Sequence, residues 1–294
     1  MRSFVPRYDL RTPDSLDEAL TLLSAEPGRW RPFAGGTDIM VLLEAGRLEH
    51  MHYVNLWGLR DLRFIQATDR EVVIGAMTTY TDVLESQVLQ DEFPLLCRAA
   101  AETGGHANQN RGTVGGNIAN ASPAADTPPA LLVYDAELEL ISKRGTRRVT
   151  YSAFHSGYKR IDLAPDEIIR AIHVPRGHGF THQIFRKAAA RRAQAISKVC
   201  FAAGVALQNG IVREARFAFG SVAPTVVRAE TAEAAVRGRP LDRPAIEAAA
   251  AAVVSDLSPI DDIRSTAAYR QEVARNMLEH FLRGSRSSGW VEQG

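Results

Sequence analysis

Cysteine is scarce in this chain, and long apolar runs are missing. Cys97 and Cys200 are the two cysteines among 294 residues. Two thiols cannot ligate a four-cysteine iron–sulfur cluster, and no C-x-x-C pair offers a zinc site, so we expect no metal on this chain. No stretch approaches about 18 uninterrupted apolar residues, and the amino terminus lacks the apolar core of a secretion signal. We therefore expect a cytoplasmic protein without a membrane span.

An excess of charge of one sign is also missing. Lysine and arginine together number 35, aspartate and glutamate number 34, and the formal net charge is +1. Nucleic acids and anionic membranes attract basic surfaces, so neither is an expected partner. The hydrophobic fraction of 45% is that of an ordinary globular protein, and the length allows two or three structural units.

Glycine pairs are present in two polar segments. The main segment is 113–126 (TVGGNIANASPAAD). Adjacent glycines let backbone amides approach an anion and permit positive φ, and Asn117, Ser122 and Asp126 add partners for sugar hydroxyls or a heterocycle edge. A solvated loop is the alternative for a lone glycine pair. Asp126 also precedes a threonine and two prolines that predict a helix start, so it is equally consistent with a helix cap.

The other glycine pair lies in segment 32–38 (PFAGGTD), directly before a predicted helix over 39–45. Thr37 or Asp38 is the expected cap, and Gly46 is placed to end the helix. The positive end of the helix dipole suits a phosphate, so two such segments predict a pyrophosphate held from two sides. Neither segment matches the Rossmann G-x-G-x-x-G pattern or a P-loop.

With these two segments, the chain closely resembles the FAD-binding medium subunit of the xanthine dehydrogenase and carbon monoxide dehydrogenase family. The residues that carry the resemblance are 34–38 (AGGTD) and 113–126, of which the second is highly specific. The resemblance extends from about residue 4 to about residue 282. Further matches are 166–169 (DEII), 174–175 (VP), 185–187 (FRK) and 195–199 (AISKV).

The resemblance implies an α+β protein whose FAD-binding fold is that of the vanillyl-alcohol oxidase and para-cresol methylhydroxylase class. We expect this FAD-binding domain over 1–176, in subdomains of about 1–57 and 58–176. Between the two glycine segments, the polar residues 104–110 are predicted to form a loop.

A second domain is predicted over 177–284, after a glycine-rich connector. Its pattern indicates three antiparallel strands followed by alanine-rich helices. Asn209-Gly210 predicts a type I′ turn between the last two strands. The remaining residues, 285–294, are rich in serine, glycine and arginine, and we predict a disordered tail.

The resemblance also implies which residues contact FAD. Ile169 matches an apolar residue beside the flavin, and Lys187 matches a basic residue whose charge would favour the anionic reduced flavin. Thr103 stands where some relatives place an aromatic residue against the adenine. The implied FAD-binding residues are Pro32, Phe33, Ala34, Gly35, Gly36, Thr37, Asp38, Ile39, Thr113, Gly115, Gly116, Asn117, Ser122, Asp126, Ile169 and Lys187.

By the same resemblance, this chain is the middle one of three subunits. A large subunit binds molybdopterin and hydroxylates the substrate, a small subunit carries two [2Fe–2S] clusters, and FAD, held without a covalent bond, passes electrons onward. A dimer of heterotrimers is implied, and no catalytic residue is expected on this chain. The alternatives are a free-standing flavin oxidase or dehydrogenase with its own small substrate, and a scaffold subunit without FAD.

The substrate and the electron acceptor are not indicated by the sequence. NAD, a quinone, a ferredoxin and dioxygen all stay open as acceptors. Thr37-Asp38 departs from the His-Ser that follows the glycines in the carbon monoxide branch, which argues against carbon monoxide as the substrate.

Overall fold

A small parallel sheet and two helices form the first unit of the computed structural model, which describes residues 7–191 and 194–286. The elements are β1 (Asp9–Arg11), α1 (Leu16–Ala25), β2 (Arg31–Phe33), α2 (Thr37–Glu44) and β3 (His52–Asn55). The strand order is β1-β3-β2. The Ser15 side chain caps α1 by accepting a hydrogen bond from the Glu18 amide. Leu20 and Leu23 then pack against Val54 of β3 in one hydrophobic core.

The second unit is built on a five-stranded antiparallel sheet of order β4-β5-β10-β6-β7. Ile172 of its central strand pairs with Ile74 on one side and Leu138 on the other, and all three are buried. A 3-10 turn over Arg60–Leu62 leads into this unit. The elements are β4 (Ile65–Ala67), β5 (Glu71–Gly75), α3 (Tyr80–Glu85), α4 (Gln87–Glu92), α5 (Pro94–Glu102), α6 (His106–Gln109), α7 (Val114–Asn120), α8 (Thr127–Val133), β6 (Glu137–Ser142), β7 (Gly145–Thr150), α9 (Tyr151–Phe154), β8 (His155–Gly157), β9 (Arg160–Ile161) and β10 (Ile168–Pro175).

The predicted loop over 104–110 is wrong, because these residues contain the short helix α6. The Gln109 amide donates to the carbonyl of Gly105, and its side-chain amide donates to the carbonyl of Ala101 in α5. A polar segment is expected to form a loop when its side chains are solvated. Here the Gln109 side chain is buried against α5, and the local sequence does not reveal this contact.

The third unit is an antiparallel sheet of order β11-β12-β13-β14 covered by helices. The elements are β11 (His182–Ala188), β12 (Val199–Gln208), β13 (Ile211–Gly220), β14 (Val227–Arg228), α10 (Glu230–Val236), α11 (Arg243–Ala252), a 3-10 turn over Val253–Asp256 and α12 (Ala267–Ser285). The predicted three-stranded sheet is wrong by one strand, since β14 pairs with Ala218 and Phe219 of β13. Two residues are too few to produce an alternating pattern in the sequence.

Two local predictions for this unit have different outcomes. Asn209 and Gly210 have φ of 52° and 75°, so the type I′ turn between β12 and β13 is confirmed. The disordered tail was predicted to begin at residue 285, which is wrong. Ser285 still belongs to α12, is buried and donates to the carbonyl of Phe281. Residues 287–294 of the predicted tail lie outside the described residues.

The second and third units meet along α8, which is buried over its whole length. The hydrophobic core of the second unit extends to Cys200 and Ala202 of β12 and Ala218 of β13. At the end of α8, Asp135 accepts hydrogen bonds from Arg216 and Arg228 of the third unit. The architecture is therefore a mixture of helices and sheets, and none of the described helices is long and apolar enough to cross a membrane.

Candidate functional site

A cavity of about 1240 Å³ lies where the units meet, and both glycine segments contribute to its wall. Its size exceeds the roughly 300–1,000 Å³ of a typical small-ligand pocket, which suits a dinucleotide. Fourteen of the sixteen predicted FAD-binding residues line it, and Phe33 and Lys187 do not. The fourteen are Pro32, Ala34, Gly35, Gly36, Thr37, Asp38, Ile39, Thr113, Gly115, Gly116, Asn117, Ser122, Asp126 and Ile169.

The first glycine segment ends in an open helix terminus. Gly36 is the N-cap of α2, with φ of 77°, and the first bond inside the helix runs from the Met40 amide to the Gly36 carbonyl. None of the described residues accepts a hydrogen bond from the amides of Thr37, Asp38 or Ile39. These three donors and the helix dipole at the cavity wall can bind an anion such as a phosphate.

The predicted cap of this helix is wrong, because α2 begins without a side-chain cap. The Asp38 carboxylate instead accepts a hydrogen bond of 2.9 Å from the side chain of Asn120, at the end of α7. Lys159 in turn donates to the Asn120 side-chain oxygen at 2.9 Å. Burial lowers the pKa of Lys159, and the Asp38 charge opposes that shift. These contacts tie the open end of α2 to the end of α7.

The second glycine segment has its amides already paired. Gly115 and Gly116 lie in the first turn of α7, so neither adopts the positive φ that this glycine pair permits. The amides of Val114 and Gly115 donate to the carbonyls of Thr78 and Ala76, at 3.0 and 2.9 Å. The Gly116 amide donates to the Thr113 hydroxyl, which caps the helix. This segment therefore contributes space and side chains to the cavity rather than free amide donors.

Three polar atoms of the cavity wall have no hydrogen-bond partner among the described residues. They are the Tyr80 hydroxyl, the Asn117 side-chain oxygen and the Arg270 Nε, and all three atoms are buried. Burial raises the pKa of Tyr80 well above its usual value, so its hydroxyl stays protonated and can donate. A buried polar atom without a partner costs about 1–3 kcal/mol, so a ligand that bonds to these atoms gains stability there. Hydroxyl groups of a sugar or polyol fit this requirement.

Asp126 and Lys187 form a buried ion pair beside the cavity. The Lys187 ammonium lies 2.6 Å from one carboxylate oxygen, and the Ser197 hydroxyl donates to the other at 2.6 Å. Burial raises the pKa of Asp126, while the Lys187 charge and both hydrogen bonds oppose that shift. Asp126 makes no side-chain cap to α8, so the cap alternative is wrong. The Lys187 ammonium is directed at Asp126, and its side chain is only 2% exposed.

Asp262 and Arg270 also form part of the cavity wall, although no sequence pattern predicts them there. The Arg270 side chain, 5% exposed, donates to the carbonyls of Lys198 and Ser221. It also pairs with Asp262 at 2.7 Å. Burial alone would raise the pKa of Asp262, but hydrogen bonds from two nearby backbone amides and from Arg270 lower it to about 2. No local pattern marks Arg270, because two of its partners, Lys198 and Ser221, are distant in the sequence.

Among the residues that the structure describes, no side-chain cluster beside this cavity could hold a metal ion. In the described part of the chain, no group of three or more histidine, cysteine, aspartate or glutamate side chains is arranged to hold a metal ion. Cys97 and Cys200 are both free thiols, and burial raises the pKa of each.

Comparison with known proteins gives two family matches that follow one another along the chain. Residues 6–177 match the FAD binding domain in molybdopterin dehydrogenase. Residues 184–285 match the CO dehydrogenase flavoprotein C-terminal domain.

Single relatives match over nearly their whole length. The xanthine dehydrogenase FAD-binding subunit of Escherichia coli O157:H7 is 36% identical over 273 residues, which cover 91% of this chain and 92% of the relative. The carbon monoxide dehydrogenase medium chain of Hydrogenophaga pseudoflava is 29% identical, covering 94% and 96%. A solved structure of carbon monoxide dehydrogenase from H. pseudoflava superimposes with a TM-score of 0.91 at 30% identity, covering 95% of this chain and 97% of that one.

Proposed function

This chain belongs to the family of FAD-binding subunits of molybdopterin dehydrogenases, and we propose that it carries electrons from an iron–sulfur subunit to an external acceptor. It is an oxidoreductase subunit of the xanthine dehydrogenase and carbon monoxide dehydrogenase family, and its cofactor is FAD. The observation that carries the proposal is the open N-terminus of α2 in a cavity lined by both glycine segments. FAD supplies the electron-transfer chemistry, and the chain supplies position and surroundings.

The residues of this cavity fit the parts of FAD. The amides of Thr37, Asp38 and Ile39 would bind the pyrophosphate, because they are the donors left free at a helix terminus. Tyr80 and Asn117 would bond to hydroxyls of the ribityl or ribose groups, since both present an unpaired polar atom. We propose that FAD is held without a covalent bond, because neither a cysteine nor a histidine lines the cavity within the described residues.

Lys187 has a narrower role in this proposal than the resemblance implies. Its ammonium is matched by the Asp126 carboxylate at 2.6 Å, so a flavin beside the pair would experience a nearly neutral couple rather than a lone positive charge. The pair would position Asp126 at the cavity wall. Direct stabilisation of a reduced, anionic flavin by Lys187 would require the ammonium to leave Asp126.

Partner subunits are supported by the apolar rim of the cavity. Val41, Tyr158, Ile196 and Ile260 all line it, yet they are 63, 65, 53 and 70% exposed. Large apolar side chains grouped in this way are typical of surfaces that another chain covers. We place a molybdopterin-binding large subunit and a [2Fe–2S] small subunit in the complex, arranged as a dimer of heterotrimers.

The finer description of the fold is part of the same proposal. The vanillyl-alcohol oxidase type of FAD-binding fold, in subdomains of about 1–57 and 58–176, is supported by the separate sheets of the first and second units. A boundary near residue 177 is supported by the family matches, which end at 177 and resume at 184.

The proposal is tested on the complex isolated from the native cells. We expect molybdenum, iron and one FAD per chain to copurify, and acid precipitation to release all the flavin into the supernatant. Flavin that copurifies without molybdenum and iron would favour the free-standing oxidase. A chain without flavin absorbance would favour the scaffold.

A further inference from the structure

Trp57 contacts two guanidinium groups just outside the cavity. The Arg111 guanidinium lies 3.7 Å from the centre of its indole ring, and that of Arg63 lies 5.6 Å away. Trp57 follows β3 and is half-buried against the core of the first unit, whereas both arginines are exposed. None of these three described residues lines the cavity. The indole therefore joins the first unit to the second at a place where a bound dinucleotide would not touch it.

Arg111 lies at the junction of the two glycine segments. A Cβ on Gly35 would be 1.7 Å from the Arg111 carbonyl oxygen, so the first segment rests directly on this peptide. Two residues later, Thr113 caps α7 and begins the second segment. The position of Arg111 therefore sets the spacing between the open end of α2 and the wall formed by α7.

Arg63 provides a separate connection from Trp57 to α7. Its guanidinium donates to both oxygens of Asp82, at 2.8 and 2.9 Å. Asp82 and Thr79 form the capping box of α3, and Thr79 pairs with Thr113 in an isolated bridge. The indole is thus connected to the start of α7 through both arginines.

We propose that Trp57 and Arg111 are a positioning pair for the dinucleotide: their stacking holds the two glycine segments at the spacing that FAD requires. The inference rests on the proposed function. Exposed cation–π pairs add little to the stability of a fold. Here the pair fixes two ligand-binding segments from different units, so its loss acts on binding more than on folding.

The test is a double-mutant cycle with Arg111→Met and Trp57→Leu in the full chain. Purified protein is stripped of flavin and titrated with FAD, with the dissociation constant measured from flavin fluorescence. We expect each single variant to bind FAD about fivefold more weakly, and the double variant to bind no more weakly than either one. The visible circular dichroism of the bound flavin should change in all three variants, while the urea midpoint of the flavin-free protein stays close to wild type.

Two further variants provide the comparison. Arg29→Met removes an arginine that lies 5.7 Å from the Trp30 ring and does not line the cavity, and it should leave FAD affinity unchanged. Trp57→Phe retains an aromatic face and should recover most of the affinity lost in Trp57→Leu.

Equal FAD affinity in wild type and in the Arg111 and Trp57 variants would overturn the inference and leave the proposed function intact. The inference would also be overturned if the losses of FAD affinity were additive in the double variant, or if they were proportional to a fall in the urea midpoint. A wild-type chain that binds no FAD would remove the proposed function, and the inference with it.

Discussion

Gly35-Gly36 precedes the first turn of α2, and Gly115-Gly116 lies inside the first turn of α7. In each pair, the first glycine allows a close approach: a Cβ would lie 1.7 Å from the Arg111 carbonyl at Gly35 and 2.5 Å from the Ala76 Cβ at Gly115. The second glycines differ. Gly36 has φ of 77°, whereas Gly116 is helical.

The same difference appears in the helix termini. The first three amides of α2 have no acceptor among the described residues, and those of α7 are bonded to two distant carbonyls and a cap. Amides that are free at a helix terminus can bind an anion, whereas amides that already have acceptors cannot. Two glycine pairs that predict the same role from composition thus have different roles, decided by which carbonyls lie beside them.

The largest expected effect concerns the far end of the second segment. In Lys187→Met, Asp126 loses its partner while buried, which should lower the free energy of unfolding at pH 7 by about 3–5 kcal/mol. Burial raises the pKa of Asp126 in the folded state, so protonation of this carboxylate stabilises the fold. That stabilisation is lost as the pH rises through the pKa of Asp126 in the folded protein. Urea unfolding should therefore show a smaller deficit at pH 5 than at pH 7.

A double variant provides the control for this prediction. Lys187→Met combined with Asp126→Asn leaves no buried charge, so we expect it to recover most of the lost stability. A deficit that is the same at both pH values would contradict the coupling of this pair.

A smaller loss is expected from Gly35→Ala, which breaks the contact between the two segments. The new Cβ meets the Arg111 carbonyl, so the first segment must shift; overpacking of this kind costs about 1–3 kcal/mol. FAD content after purification should fall sharply, because the shift moves the open end of α2. Gly58→Ala is the matched control, since nothing lies within 4 Å of its Cβ. Normal FAD content in Gly35→Ala would refute the role of this contact.

The next prediction compares Gly36 with Gly116, the second glycine of each pair. Gly36→Ala should cost at least about 1–2 kcal/mol, because alanine disfavours positive φ and its Cβ would lie 2.6 Å from the Phe33 ring. Gly116→Ala should change stability by less than about 1 kcal/mol, since helix propensity favours alanine while the Thr113 hydroxyl lies 2.8 Å from the new Cβ. Thermal unfolding of both flavin-free variants measures the difference. Equal losses would indicate that the two glycines have the same conformational role.

The smallest effect is expected at the cap of α7. Thr113→Val removes the hydroxyl that accepts from the Gly116 amide, which should cost about 1 kcal/mol. Thr37→Val should leave the free energy of unfolding almost unchanged, because no side chain caps α2. Urea unfolding of the two variants side by side tests the prediction. A larger loss in Thr37→Val would reverse the assignment of the capped and the open helix.

Local sequence was sufficient where a short stretch forms its own contacts. Asn209-Gly210 supplies the positive φ that its turn requires. The two glycine segments were identified as walls of one ligand cavity for a related reason, since glycine has no Cβ and lets the backbone approach another group closely. Such features depend on a few neighbouring residues, and the sequence contains all of them.

Contacts between distant residues decided the rest. Asp126 is 61 positions from Lys187, and the amides at the start of α7 are satisfied by carbonyls near residue 77. Arg270 is held at the cavity wall by the carbonyls of Lys198, just before β12, and Ser221, just after β13. The sequence by itself determined where a nucleotide could approach the backbone. Only the tertiary structure decided which donors are free to bind it, because a hydrogen bond to a distant carbonyl leaves no trace in the local pattern.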